Sequence, residues 1–381
     1  MSAPRIAMVA GEASGDLLAA HLIAAIKTRL PQARFCGIGG PRMAEQGFEA
    51  WWPSEKLAVR GYVEVLGHYR EITGIRSALA RRLKAEPPDL FIGVDAPDFN
   101  LHLETGLRES GIRTAHFIGP SVWAWRGGRM EKIKRAAGHM LCLFPFEEAL
   151  YRAAGIPATY IGHPLADVIP LEADRAGARA RLGLPVDVPV VALLPGSRQS
   201  ELKYLGERFV ASALRLRASH PAVRFVVPLA SPQTEALWQA AVTAAGAGAA
   251  DFVLAPRDAH GALAACDIAL VASGTATLET ALFKRPMVIA YNMAPLSWEL
   301  MRRMKYQPYV GLPNILCGQF VVPEFLQDDA SPDNLAQALA NLLDDVPARA
   351  RISARFARLH GQLRLGMAQR AASAVVDNFF A

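Results

Sequence analysis

Along the chain, short uninterrupted apolar and β-branched runs alternate with longer stretches whose apolar positions recur at helical spacing. In the first half the runs cover 5–10, 34–37, 90–94, 114–118, 140–144 and 159–161, and helical patterns cover 16–30, 69–85, 101–110 and 145–154. A strand covered on both faces needs such a continuous run, and its alternation with helices predicts βαβ units around a parallel sheet. Right-handed crossovers then make the sheet doubly wound. Around 162–187 the pattern loosens into Gly-His-Pro and Leu-Gly-Leu-Pro punctuation, so a linker is expected over 166–187. A second series follows, with strands at 188–194, 224–228, 252–254, 268–272 and 287–290 and helices at 200–219, 232–245, 259–265 and 275–282. The stretch from Pro332 reads as helical and basic. The expected organisation is two α/β domains, 1–165 and 188–345, each a Rossmann-like doubly wound parallel sheet, followed by a helical tail over 346–381.

Composition agrees with this picture and narrows the class. At about 150 residues per domain, 381 residues suggest two domains. With 52% hydrophobic and 20% charged residues, disordered and fibrous classes are excluded. The mean hydropathy is +0.17, yet no stretch reaches the roughly 18–20 apolar residues of a membrane-spanning helix. The N-terminus enters a strand instead of a signal-peptide core, so a cytoplasmic location is expected. Lysine and arginine number 41 against 35 acids, a net charge of +6 that suits anionic partners. Cys36, Cys142, Cys266 and Cys317 lie far apart and read as reduced, packed thiols. The histidines form no zinc-binding spacing, so no metal site is expected.

Candidate chemistry sits where strands end. Both halves open as strand, glycine turn, helix: Met8-Val-Ala-Gly11-Glu12-Ala-Ser14-Gly15-Asp16 and Leu193-Leu-Pro195-Gly196-Ser197-Arg198. A third loop reads Ala272-Ser273-Gly274-Thr275-Ala276-Thr277. Backbone amides in such loops point at anions, and the following helix dipole adds to the attraction. Ser14, Gly15, Gly196, Ser197, Ser273, Gly274, Thr275 and Ala276 are therefore candidates for a nucleotide diphosphate, with Arg198 as its cation. Glu279, one turn into the last helix, could accept ribose hydroxyls. Ordinary helix capping by serine and threonine is the competing account. There is no Walker A loop and no D-x-D pair, so the diphosphate would be neutralised by helix N-termini and Arg198, without a divalent ion.

Leu90-Phe-Ile-Gly-Val-Asp95 runs an apolar strand into a carboxylate, and Pro97 stops the strand there. Asp95 is a candidate general base whose pKa burial would raise; a purely structural acid is the alternative. Asp98 and Asn100 read as caps for a helix beginning near Leu101. Trp123, Trp125 and Arg126 follow a strand and could stack on a sugar and grip phosphate, or plug the space under a loop. His163 reads as a backbone hydrogen-bond partner. Tyr62, Leu66, Tyr69 and Ile72 share helical spacing and suit either the core or an acyl-binding face. The basic run Arg126, Arg129, Lys132, Lys134 and Arg135 could meet anionic lipid or lie on a solvated helix face.

Taken together, Gly11-Glu-Ala-Ser-Gly-Asp16, Gly93-Val-Asp-Ala-Pro-Asp-Phe-Asn100, Pro120-Ser-Val-Trp-Ala-Trp-Arg126, Phe144-Pro-Phe-Glu147, Ile161-Gly-His163, Leu193-Leu-Pro-Gly-Ser-Arg198 and Ala272-Ser-Gly-Thr-Ala276 resemble the lipid-A-disaccharide synthases in order and spacing. The resemblance implies a GT-B fold and an inverting glycosyltransferase. Its substrates would be UDP-2,3-diacylglucosamine and 2,3-diacylglucosamine 1-phosphate, and its products the β-1,6-linked disaccharide 1-phosphate of lipid A biosynthesis and UDP. It implies Asp95 as base, Arg198 as the cation for departing UDP, and Asn314 and Gln327 in segments of the nucleotide site. No cofactor is implied. The enzyme would sit on the anionic cytoplasmic face of the inner membrane, and a second copy of the chain is among the partners it allows. The alternatives are another UDP-GlcNAc-using enzyme of this fold, an N-acetylglucosaminyltransferase or an epimerase, and a non-catalytic nucleotide-sugar binding protein. Nucleic acid is not expected, because no recognisable binding module appears.

Overall fold

The computed structural model describes residues 3–57, 62–120, 123, 127–295, 298–299 and 307–381, with side chains for all of these except 62–69 and 127. Contacts divide the chain into two units, Met1–Asp167 with Leu363–Ala381, and Val168–Gln362.

The first unit runs β1 (Arg5–Ala10), α1 (Ala13–Arg29), β2 (Arg34–Gly39), α2 (Pro41–Glu45), β3 (Phe48–Pro53), α3 (Tyr62–Ala85), β4 (Leu90–Val94), α4 (Pro97–Arg108), β5 (Thr114–Phe117), α5 (Met130–Ala136), β6 (His139–Cys142), α6 (Pro145–Ala153), β7 (Ala158–Tyr160) and α7 (Pro164–Val168). Its seven strands are parallel in the order β3-β2-β1-β4-β5-β6-β7. The expected strands are all present. β3 was not expected, because Phe48-Glu-Ala-Trp-Trp-Pro is mostly exposed or half-buried at a sheet edge and lacks a continuous apolar run. One face of the sheet is covered by α1 through Leu22, Ile23 and Ile26. The other buries Ile75, Leu79 and Leu83 of α3 with Phe99, Leu103 and Leu107 of α4.

The second unit contains α8 (Arg175–Arg181), β8 (Val190–Leu194), α9 (Gln199–Ser219), β9 (Arg224–Leu229), α10 (Pro232–Ala244), β10 (Phe252–Pro256), α11 (Ala259–Ala265), β11 (Ile268–Ala272), α12 (Thr275–Leu282), β12 (Met287–Tyr291), α13 (Leu312–Cys317), β13 (Glu324–Leu326), α14 (Pro332–Asp344) and α15 (Val346–Leu363). Its six parallel strands follow the order β10-β9-β8-β11-β12-β13. The three-residue β13 was too short to read from sequence.

The segment expected as a linker is packed into this unit. Arg179 is fully buried, bonds to the carbonyls of Ala265, Pro185, Val186 and Val188, and pairs with Asp267 at 2.8 Å. A guanidinium with five donors can be buried only when they are met, which its charge in the sequence does not reveal. The helical tail also divides: α14 and α15 stay with the second unit, while α16 (Met367–Phe379) packs on α1. Met367, Ala371 and Val375 join the first unit's core, and Asp167 caps α16 by accepting the amides of Gly366 (2.9 Å) and Met367 (2.6 Å). Burying side chains the size of Met367 and Val375 stabilises by about 1.5–3 kcal/mol each.

All four cysteines are free thiols, three of them buried. Among the described residues no helix is long and apolar enough to cross a membrane.

Candidate active site

In an open parallel sheet, ligands gather beyond the carboxyl ends of strands at the point where strand order reverses. In the first unit that point lies between β1 and β4, and in the second between β8 and β11. Asp95 follows β4, Gly11 follows β1, Gly196 follows β8 and Ser273 follows β11. Each unit thus puts its most chemically suggestive loops at its own switch point.

At the first, Asp95 and Ala96 both adopt left-handed backbone, with φ of 54° and 38°. Pro97 then occupies the first turn of α4, so this helix starts four residues before the expected Leu101. Asp98 therefore lies in the first turn and pairs with Arg129 at 3.0 Å, while Asn100 is inside the helix and fully buried. Neither acts as the expected cap. The Asp95 carboxylate accepts the amides of Gly11 (2.8 Å) and Glu12 (3.2 Å). Burial pushes its pKa to about 6 against those two hydrogen bonds, with the Glu12 charge adding to the rise. A Cβ on Gly15 would lie 1.8 Å from Asp95 Oδ2, so this position admits only glycine while the carboxylate stays in place. Asp16 accepts the amides of Gly40, Arg42 and Met43 and so caps α2. Two amides of the Gly11–Gly15 loop thus hold Asp95; Ser14 is exposed.

At the second switch point, a cavity of about 630 Å³ is lined by Gly196, Ser197, Arg198, Ser273, Gly274, Thr275, Ala276 and Glu279, all eight of them expected. The amides of Ser197 (2.9 Å) and Arg198 (3.2 Å) donate to Glu201 Oε2. The loop is therefore already shaped to cradle an oxyanion. The Arg198 side chain is 80% exposed at the cavity wall, and its guanidinium lies 3.6 Å from Glu201 Oε1. Burial pushes Glu279 up, and His260, 4.0 Å away, pulls it down. Arg257 and Glu201 also line the cavity and were not expected. A cation directly after a strand, as Arg257 is after β10, was the available signal.

Asn314 and Gln327 do not line this cavity. Asn314 is fully buried, accepts the amides of Val321 and Val322, and donates to Val322 and Glu324. Gln327 exchanges two hydrogen bonds with the main chain of Met293. Both amides are engaged in shaping the chain next to β13.

Trp123 donates to buried Glu147 at 3.1 Å and sets its ring edge-on to Phe144 and Phe146. That is an aromatic plug, and burial pushes Glu147 up to about 7. Phe144 stacks on His163, whose Nδ1 accepts the Leu165 amide and whose pKa burial lowers to about 4. His163 is thus the structural hydrogen-bond partner expected. Ile72 packs on the core face shared by α3 and α4. Trp125 and Arg126, and the side chains of Tyr62, Leu66 and Tyr69, lie outside the described residues.

The family model described as lipid-A-disaccharide synthetase matches residues 6–375. The chain is 56% identical over 377 residues to the lipid-A-disaccharide synthase of Dechloromonas aromatica, covering 99% of each. It is 58% identical over 374 residues to that of Aromatoleum aromaticum, covering 98% of this chain and 96% of the relative. Among solved structures, a UDP-GlcNAc 2-epimerase from Neisseria meningitidis bound to UDP-GlcNAc aligns with a TM-score of 0.63 at 12% identity, covering 98% and 99%. MurG from Acinetobacter baumannii aligns with a TM-score of 0.57 at 16% identity, covering 99% of both chains. At such identities these two structures speak for the fold alone, which is GT-B.

Proposed function

The chain belongs to the lipid-A-disaccharide synthase family and is a glycosyltransferase, and from that premise we propose which of its residues carry the reaction. The transfer moves 2,3-diacylglucosamine from its UDP derivative to the 6-hydroxyl of 2,3-diacylglucosamine 1-phosphate. The acceptor oxygen forms its bond to the anomeric carbon as the bond to the diphosphate breaks, and the donor's α configuration becomes a β linkage. Asp95 takes the acceptor proton, and the electron pair of the broken bond leaves on UDP.

The observation that carries this assignment is Asp95 itself: a carboxylate at a switch point, held by two amides and raised to about 6 by burial. A base is most effective when its pKa approaches the working pH. Arg198, the amides of Ser197 and Arg198, and the N-terminal turn of α12 at Ser273–Ala276 take the diphosphate, with Glu201 yielding its place to the phosphate oxygens. Glu279 takes the ribose hydroxyls. Fixed dipoles and one mobile cation then supply the leaving-group stabilisation that a metal supplies elsewhere. Because both substrates carry acyl chains, the enzyme meets them at the anionic face of the inner membrane.

The test is to incubate the protein with the two acylated substrates and follow UDP and disaccharide phosphate. Turnover retained in EDTA is expected. Abolition by EDTA with recovery on adding magnesium would refute the metal-free account, and turnover of UDP-GlcNAc at the rate of the acylated donor would refute the substrate assignment.

A further inference from the structure

Next to the Asp95 main chain lies a buried polar cluster that the proposed chemistry does not use. Asn100 on α4 is fully buried. Its Nδ2 lies 2.9 Å from the carbonyl oxygen of Asp95, 3.2 Å from that of Val94 and 3.3 Å from that of Val9. Those three carbonyls belong to two different strand ends. Val9 leads through Ala10 to Gly11 and Glu12, whose amides grip the carboxylate, while Val94 and Asp95 form the corner that presents it. One side-chain amide thus joins the two pieces of main chain whose relative placement sets the Gly11 and Glu12 contacts.

The corner needs such a clamp. Asp95 and Ala96 are consecutive non-glycine residues with positive φ, a strained conformation that persists only where the surroundings enforce it. Gly93 lets α4 come close enough to do so: a Cβ there would lie 2.1 Å from Glu104 Oε1 and 3.0 Å from Asn100 Cβ. Glu104, one turn beyond Asn100, meets His116 Nδ1 of β5 at 2.8 Å, and both residues are fully buried. Among the described residues, Asn100 Oδ1, Glu104 Oε2 and His116 Nε2 have no hydrogen-bond partner. Leaving buried polar atoms unmet is destabilising, which packing alone would avoid with apolar side chains.

We propose that Asn100 is a positioning residue for Asp95, clamping the β1 and β4 ends so that the carboxylate is held in the orientation proton transfer requires. The Glu104–His116 pair forms the rigid polar backing against which Asn100 is set. This rests on the assignment of Asp95 as base, and the experiment separates the two.

Asn100→Ala, Asp95→Asn and the double variant are compared for kcat and KM with UDP-2,3-diacylglucosamine, alongside UDP affinity and melting temperature. The expected result for Asn100→Ala is a kcat about 100-fold lower, the scale on which misplacement of a reacting group acts, with KM and UDP affinity within about two-fold of the parent. In the double variant the rate equals that of Asp95→Asn, because a clamp has nothing to position once the base is gone. Multiplicative losses in the double variant would overturn the proposal, as would parent-like kcat for Asn100→Ala beside a slow Asp95→Asn, which leaves the base assignment standing. Parent-like turnover of Asp95→Asn would remove the base and this inference together. Should Asn100→Ala not fold, Asn100→Leu keeps nearly the same volume without a donor, and full kcat in that folded variant would overturn the clamp.

Discussion

Replacing Asp95 with asparagine should make the protein more stable and nearly inactive at the same time. Its carboxyl pKa is raised from 3.8 to about 6 by burial, which corresponds to about 3 kcal/mol of preference for the protonated form in the folded state. Protonation at Asp95 therefore contributes stability that is fully present below about pH 4 and is lost as pH rises through about 6. Asparagine never ionises and avoids that loss. It offers one oxygen instead of two, so either the Gly11 or the Glu12 amide loses its acceptor, at about 1 kcal/mol. The net gain is about 2 kcal/mol at pH 8, or about 4–8 °C in melting temperature for a unit of this size, shrinking towards zero or slightly below near pH 4. Thermal melts of both proteins from pH 4 to 8 measure this directly. In parallel, kcat should fall about 10³-fold, UDP affinity should be retained, and the parent's kcat/KM should drop about ten-fold per pH unit below 6. Melting curves that stay parallel across that range, or near-parent turnover by the variant, would refute the reasoning.

Two further substitutions separate the roles of the loops. Arg198→Ala should weaken UDP binding about 10- to 100-fold, as loss of a charge-assisted phosphate contact does, and lower kcat as well; unchanged UDP affinity by calorimetry would contradict the role given to this exposed guanidinium. Gly15→Ala puts a methyl group 1.8 Å from the present position of Asp95 Oδ2, so kcat should collapse while UDP affinity holds. The reverse pattern, with weak UDP binding and normal kcat, would return the Gly11–Gly15 loop to a phosphate-binding role.

How far the site was legible follows from the range of the interactions that build it. Asp95, Arg198 and the Ser273–Glu279 segment could be found because strand-end chemistry is local: an apolar run, a proline or glycine, then a polar group within a few residues. Ser14 and Gly15 carried the same local signal and pointed to phosphate. Their neighbourhood is instead set by a carboxylate 80 to 84 positions away, which binds two amides of their loop. Asn100 read as a cap because its bonds to Val9, 91 residues back, leave no trace in the neighbouring sequence. Arg179 lay unmarked within the expected linker for the same reason, since its partners Ala265 and Asp267 are 86 and 88 residues away.

By itself, the sequence determined two parallel sheets with helices on both faces, since continuous apolar runs spaced by amphipathic helices can satisfy their backbone and bury their side chains in few other ways. It also determined which strand ends carry reactive groups. Tertiary structure decided what those groups do. Strand order placed the β1 and β4 ends side by side, turning a phosphate-like loop into a cradle for a carboxylate, and packing of α4 on Gly93 brought an amide to clamp the corner. It also sent the last helix back to the first unit, where its apolar face found α1. These outcomes depend on groups meeting across tens to hundreds of residues, and periodicity within a short window does not encode such meetings.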